Sequence, residues 1–259
     1  MLDVAIRKGG DTPPIIDLGT RAAPPLPIDP ALGTLLPDGL RRGSTVTVTG
    51  SISLLLALLG PASASGAWCA LVGFPHISAE AASEYGIELS RLAIIPAPGE
   101  GWTTVVGALL DAVDVVAARP PRRLVPGDVR RLVARARTRD AVLVPFCTGS
   151  GGDVRNGGPC GDGRGGIERS DGRGAGNLGD GRGGGSGDWP GADVRLRATP
   201  GPWTGIEAGS GRLQARRVDV TADGRGSAAR PRSATLWLPT AAGGVATAEQ
   251  LAPVIELVS

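Results

Sequence analysis

The chain is poor in the groups that do chemistry. It has one histidine, His76, one lysine, Lys8, and one tyrosine, Tyr85. A Ser–His–Asp triad would have to use His76, yet no cysteine or elbow serine lies near it and no Gly-x-Ser-x-Gly turn occurs. His76 therefore reads as an ordinary surface residue. The three cysteines, Cys69, Cys147 and Cys160, have no paired spacing. They make neither a zinc site nor a disulfide framework, which fits a reducing cytoplasm. Aromatics are only 3% of the residues, so a core must be built from Ala, Val, Leu and Ile. In such a core Trp68, Trp102, Trp203 and Trp237 read as packing anchors, with Trp189 exposed. Charge of one sign is lacking too. A net charge of +2 gives no global attraction to nucleic acid or acidic membranes. The basic residues other than Lys8 are all arginine, a bias that a GC-rich genome explains. The apolar run at 54–59 is far short of the roughly 20 residues a spanning helix needs, and the N-terminus has no apolar signal region. No membrane is expected.

Glycine and proline are abundant, 42 and 22 residues, but unevenly placed. Residues 1–38 carry Pro13, Pro14, Pro24, Pro25, Pro27, Pro30 and Pro37. Proline fixes φ and removes a donor, so this stretch reads as an extended, flexible arm. Residues 148–187 hold 18 glycines in 40 and almost nothing apolar, too little burial to offset ordering entropy. This insert reads as disordered. Asp-Gly-Arg-Gly recurs in it at 162, 171 and 180, but without the apolar residue per turn that a nine-residue β-helix repeat stacks. Its five arginines face five acidic residues and no aromatic, which makes it a linker rather than a channel for DNA.

Between these segments the pattern is regular. Strands are predicted at 44–49, 67–73, 92–95, 113–118 and 141–146, with helices at 52–59, 78–85, 102–111 and 127–138. Ser78 is placed to cap the second helix and Gly86 to end it. Apolar strands alternating with helices predict an α/β fold: a mostly parallel sheet with helices on both faces. After the insert, 193–199, 211–220 and 233–238 read as antiparallel strands added at one edge, with turns at 209–211 and 223–224. A tail, 239–259, ends in an apolar stretch at 254–258.

The first strand carries the most informative absence. Thr45-Val46-Thr47-Val48-Thr49-Gly50 followed by a leucine run is the strand–loop–helix layout of a P-loop. A working P-loop has Gly-Lys-Ser/Thr five to seven residues after the first glycine, so that backbone N–H groups cradle phosphate and the lysine reaches the β/γ oxygens. Those positions are Leu55, Leu56 and Ala57. No cofactor is expected.

Gly39-Leu40-Arg41-Arg42-Gly43 before that strand resembles the entry to the RecA P-loop. Tyr85-Gly86-Ile87-Glu88-Leu89-Ser90-Arg91-Leu92 resembles the turn before the next RecA core strand, and 193–220 with 234–238 resemble its closing hairpin strands. The chain thus resembles a RecA-like domain over 39–238, interrupted by the insert. The resemblance implies further departures. The Walker B aspartate position is Arg119, and the catalytic glutamate falls near Phe74. Phrases such as Gly66-Ala67-Trp68-Cys69-Ala70-Leu71-Val72-Gly73 and Trp189-Pro190-Gly191-Ala192-Asp193 are similar to the ImuA-prime type of RecA-like protein of actinobacteria. That likeness implies a non-catalytic member of a DNA-damage-induced (SOS) translesion mutasome. Its partners would be an ImuB-type Y-family polymerase homologue and a DnaE2-type polymerase, with RecA or DNA as further candidates. Localisation would be cytoplasmic, at the nucleoid after damage.

Residues 119–139 hold a run of arginines. Val129, Leu132, Val133 and Ala136 give their helix a buried stripe and a basic outer face. That face reads as solvated, with Arg123, Arg130, Arg131, Arg135 and Arg139 as candidate contacts for DNA phosphate or an acidic partner. Two competing readings remain: a divergent ATPase whose lysine comes from elsewhere, and a module that binds DNA directly and modulates RecA filaments.

Overall fold

The computed structural model describes residues 23–121, 124–148, 189–207, 210–211 and 213–250. Most of the glycine-rich tract, Arg123 and the apolar end of the tail lie outside the described residues. The first half alternates strand and helix: β1 (Val46–Thr49), α1 (Ile52–Ala64), β2 (Cys69–Val72), α2 (Ala79–Glu84), β3 (Leu92–Ile95), α3 (Trp102–Ala112), β4 (Val115–Ala118), α4 (Pro126–Thr138) and β5 (Val142–Cys147). The second half is strands: β6 (Val194–Trp203), a small hairpin of β7 (Ile206–Glu207) and β8 (Ser210–Gly211), then β9 (Arg216–Gly224), β10 (Arg232–Trp237) and β11 (Ala246–Thr247).

Nine strands form one sheet in the order β11-β10-β9-β6-β1-β5-β4-β2-β3. From β6 to β3 every pairing is parallel; β6, β9, β10 and β11 pair antiparallel. The expected fold class is therefore the observed one. Side chains alternate between the two faces. Val115 and Ala117 of β4 join the core under α1, and Val116 and Ala118 join the core under α3 and α4.

Local chemistry sets the element ends. Ser51, extended at φ −144°, accepts the Leu54 N–H at 3.2 Å and starts α1. Ser78 caps α2 by accepting from Ala81 N at 3.1 Å. The chain leaves that helix at Gly86, φ +77°. Helix α1 outruns the predicted 52–59 by about a turn, carrying Pro61 inside it. Gly60 makes the packing of that turn possible, because a Cβ there would lie 1.9 Å from the Tyr85 carbonyl oxygen.

Some expectations are corrected. Residues 26–38 are not an arm. Leu26 and Leu40 exchange backbone bonds at 2.8 and 3.1 Å, and Asp29 caps a 3-10 turn at Pro30–Leu32. Leu32, Leu35 and Leu36 are buried in the core of α1. Prolines here rule out regular hydrogen bonding but not burial, and Pro30 sits at a first helical position where its missing donor costs nothing. In the tail, β11 pairs with β10 through Leu236 and Thr247. Trp189 is fully buried, its ring 6.4 Å from that of Trp102, whereas Trp68 is 49% exposed. Cys69 is a free, buried thiol. Burial pushes the Cys69 thiol up to about 12; Asp114 adds to the shift and a Ser63 hydrogen bond opposes it.

Candidate functional site

In open α/β sheets ligands bind outside the carboxyl ends of the strands. Here that end is built from Gly50 after β1, Phe74 after β2, Arg119 after β4 and the last residues of β5. The link from β1 to α1 is two residues, Gly50 and Ser51. Gly50 has φ +88°, and a Cβ there would lie 2.3 Å from the Ala198 carbonyl oxygen of β6. Only glycine fits that bend, and its N–H donates to the Cys147 carbonyl at 3.2 Å.

The lysine-equivalent position, Leu56, lies within α1 and is 3% exposed. Leu55 and Ala57 flank it, also buried. Phe74, near the glutamate position, is buried and meets Phe146 edge-on at 5.7 Å and 60°. Both rings belong to the core under α1. The two phenyl rings and the leucines of α1 therefore share one buried cluster. Arg119, at the Walker B position, donates its backbone N–H to Val72 at 2.8 Å. Its side chain is half-buried, and a Cβ on Gly73 would press against it at 3.3 Å. Tyr85, whose neighbour Ser53 sits in the first turn of α1, has its phenol pushed up by burial, with Ser53 opposing the shift.

The structure brings part of the arginine cluster together on α4, where Val129, Leu132, Val133 and Ala136 face inward as the spacing predicts. Outside, Arg135 and Arg139 share Asp111 of α3. The Arg135 hydrogen bonds hold the Asp111 carboxyl down at about 2; burial opposes this, and the charges of Arg135 and Arg139 reinforce it. Arg131 pairs with Asp128 at 3.3 Å, and Arg137 with Asp193 at 3.2 Å. Among the described residues Arg130 makes no ion pair and is exposed. Much of the positive charge on this face is thus neutralised by its own neighbours.

Sequence reasoning missed three positions. Asp111 organises two arginines across the α3–α4 contact, a pairing that no local pattern marks. Asp193 joins three elements, accepting from Thr45 N at 2.9 Å and from Arg137. Asp114 accepts from Arg42 at 2.7 Å and from Trp68 N at 2.9 Å. Burial raises the Asp114 carboxyl, but these two hydrogen bonds and the Arg42 charge outweigh it and leave it below the usual range. On the β6–β9 arm, Trp203 and Arg216 pair in register, and the guanidinium carbon lies 5.4 Å from the ring centre.

Residues 34–150 match the family model described as the MT3502 N-terminal domain. The uncharacterized protein Rv3395c of Mycobacterium tuberculosis (strain ATCC 25618 / H37Rv) is 40% identical over 116 residues, 43% of this chain and 57% of that protein. The chain thus spans a little over half the length of this curated relative. Among solved structures, the crystal structure of the RadB recombinase superposes with a TM-score of 0.55 at 15% identity, covering 83% of this chain and 96% of that one. At that identity the likeness shows the fold, and the fold is RecA-like, as the sequence predicts. Among the described residues no helix is long and apolar enough to cross a membrane.

Proposed function

We propose that this chain is a non-catalytic RecA-like accessory protein of damage-induced translesion synthesis, scaffolding or regulating an error-prone polymerase assembly. The observation that carries the non-catalytic part is the two-residue Gly50-Ser51 link into a buried leucine helix. A phosphate cradle needs free backbone N–H groups and a lysine at the mouth of that helix. Here Ser51 takes one of the N–H groups, and Leu56 points the wrong chemistry into the core. The assembly part rests on the sequence resemblance to ImuA-prime-type proteins. The RecA-like fold supports it at the level of architecture. In this reading the partners are an ImuB-type polymerase homologue and a DnaE2-type polymerase, and the protein works in the cytoplasm, at the nucleoid after damage.

Two measurements test the two parts. Calorimetric titration of the full chain with ATP and magnesium is expected to give no saturating heat up to millimolar nucleotide; a clear saturating isotherm rejects the pseudo-enzyme reading. Co-purification with the ImuB-type homologue encoded in the same genome is expected to retain both proteins. Loss of every translesion component from the full-length chain rejects the assigned role.

A further inference from the structure

The β6–β9 arm has a feature that neither the fold nor the proposed role uses. Strand β6 pairs with β1 only as far as Arg197 opposite Thr49, the last residue of β1. It then runs six residues further to Trp203, roughly 20 Å at about 3.3 Å per residue. The arm therefore projects past the carboxyl end of the parallel sheet. At its far end Arg216 lies over the Trp203 ring at 5.4 Å. The guanidinium is fixed in place, since its Nε donates to the Gly201 carbonyl at 2.8 Å. Trp203 remains 39% exposed and Leu213 48% exposed. Arg217, 60% exposed, stands next in the chain with Asp219 only at 4.0 Å. Asp219 is itself engaged by the Thr235 hydroxyl at 2.6 Å.

The free edge of this arm argues against a partner that adds a strand. The Ala198 carbonyl points to the β1 side, toward Gly50. By alternation Pro200 presents its backbone to the same side, and it has no N–H to give. What the arm does offer is an indole with an ordered guanidinium beside it, Arg217 facing the other side of the sheet by alternation. Stacking on an aromatic face, with arginine taking the phosphate, is how single strands are held without sequence preference.

We propose that the Trp203–Arg216 pair is a stacking platform for single-stranded nucleic acid, separate from the α4 arginines. The proposal does not depend on the scaffold reading, because co-purification with a polymerase homologue and oligonucleotide binding are separate readouts. The test is fluorescence anisotropy of the full chain with fluorescein-labelled dT20, rU20 and a 20-base-pair duplex at two salt concentrations. The wild type is expected to bind the single strands more tightly than the duplex, and more weakly at high salt. Trp203→Ala is expected to weaken single-strand binding about tenfold or more. Trp203→Phe should retain most of it, and Arg216→Gln should weaken it and flatten the salt dependence. Trp68→Ala, which removes an exposed indole elsewhere, should change nothing. No measurable binding by the wild type overturns the proposal. So does equal binding of duplex and single strand, or loss of binding in Trp68→Ala to the same degree. Retention of full affinity by Trp203→Ala overturns it as well. If Trp203→Ala fails to fold, Trp203→Phe and Arg216→Gln decide, and an unchanged affinity in Arg216→Gln sinks the platform. Loss of polymerase-homologue binding in Trp203→Ala with unchanged oligonucleotide affinity would make the arm a protein contact instead.

Discussion

Helices α1 and α4 are both 13 residues long and both lie against the sheet, yet they solve different problems. Helix α1 carries no charge and buries residues around most of its circumference, Leu54 to Leu59 without a break. Helix α4 buries one stripe and turns Arg130, Arg131, Arg135 and Arg137 outward. A helix that is apolar all round belongs inside a core, and from Leu54 onward α1 is buried, while its first turn stays partly open with Ile52 38% exposed. In a P-loop domain the helix after β1 carries a lysine near that start. This chain has committed α1 to packing and left polarity to α4. The positions expected to grip phosphate, Leu55, Leu56 and Ala57, lie in the hydrophobic interior.

The largest effect is expected where this contrast is attacked directly. Leu56→Lys restores the missing lysine by name but buries an unpaired charge, and should cost on the order of 4 kcal/mol or more. Urea denaturation measures it. A folded Leu56→Lys protein that also binds ATP would break the comparison. Truncating the inner stripe of the other helix is next. Leu132→Ala should destabilise by about 2–5 kcal/mol, read by the same denaturation, and a near-zero effect would mean that α4 packs loosely. Gly50→Ala tests the bend that separates β1 from α1. With φ +88° and the Ala198 carbonyl in the way, it should cost about 1–3 kcal/mol, visible as a lower Tm. The smallest effect is on the outside of α4. Arg135→Ala should move the Asp111 pKa from about 2 back toward its ordinary 3.8, followed by NMR titration of the carboxyl. Because the folded-state value is depressed, the ion pair helps the fold above the ordinary pKa, and that help disappears as pH falls through about 2. An Asp111 titration unchanged in the variant would show that Arg139 alone sets it.

Much of the parallel half was legible. Continuous apolar strands of Val, Ala, Leu and Ile alternating with capped helices leave few alternatives, and β3 fell where it was expected, at Leu92–Ile95. The antiparallel extension was readable from its turns, though β9 begins at Arg216 rather than near 211 because a separate small hairpin intervenes. At 26–38 two signals compete: the prolines argue against regular structure, and the leucine spacing argues for burial, which the structure shows. Leu32, Leu35 and Leu36 already gave the signal for burial. The tryptophans failed for a different reason. Whether Trp68 or Trp189 is inside depends on which element covers it, and that is set by tertiary packing rather than by neighbours in the chain. The ion pairs of α4 were out of reach for the same cause, since Asp111 and Asp193 come from other elements.

The proline-studded hook at the start of the described chain has a practical corollary. Anyone trimming the protein to begin at Gly39, where the strand–helix alternation starts, would cut away Leu26, Leu32, Leu35 and Leu36, four side chains on which the floor of α1 rests. The shortened polypeptide would expose a greasy trough, and its insolubility would say nothing about the native molecule.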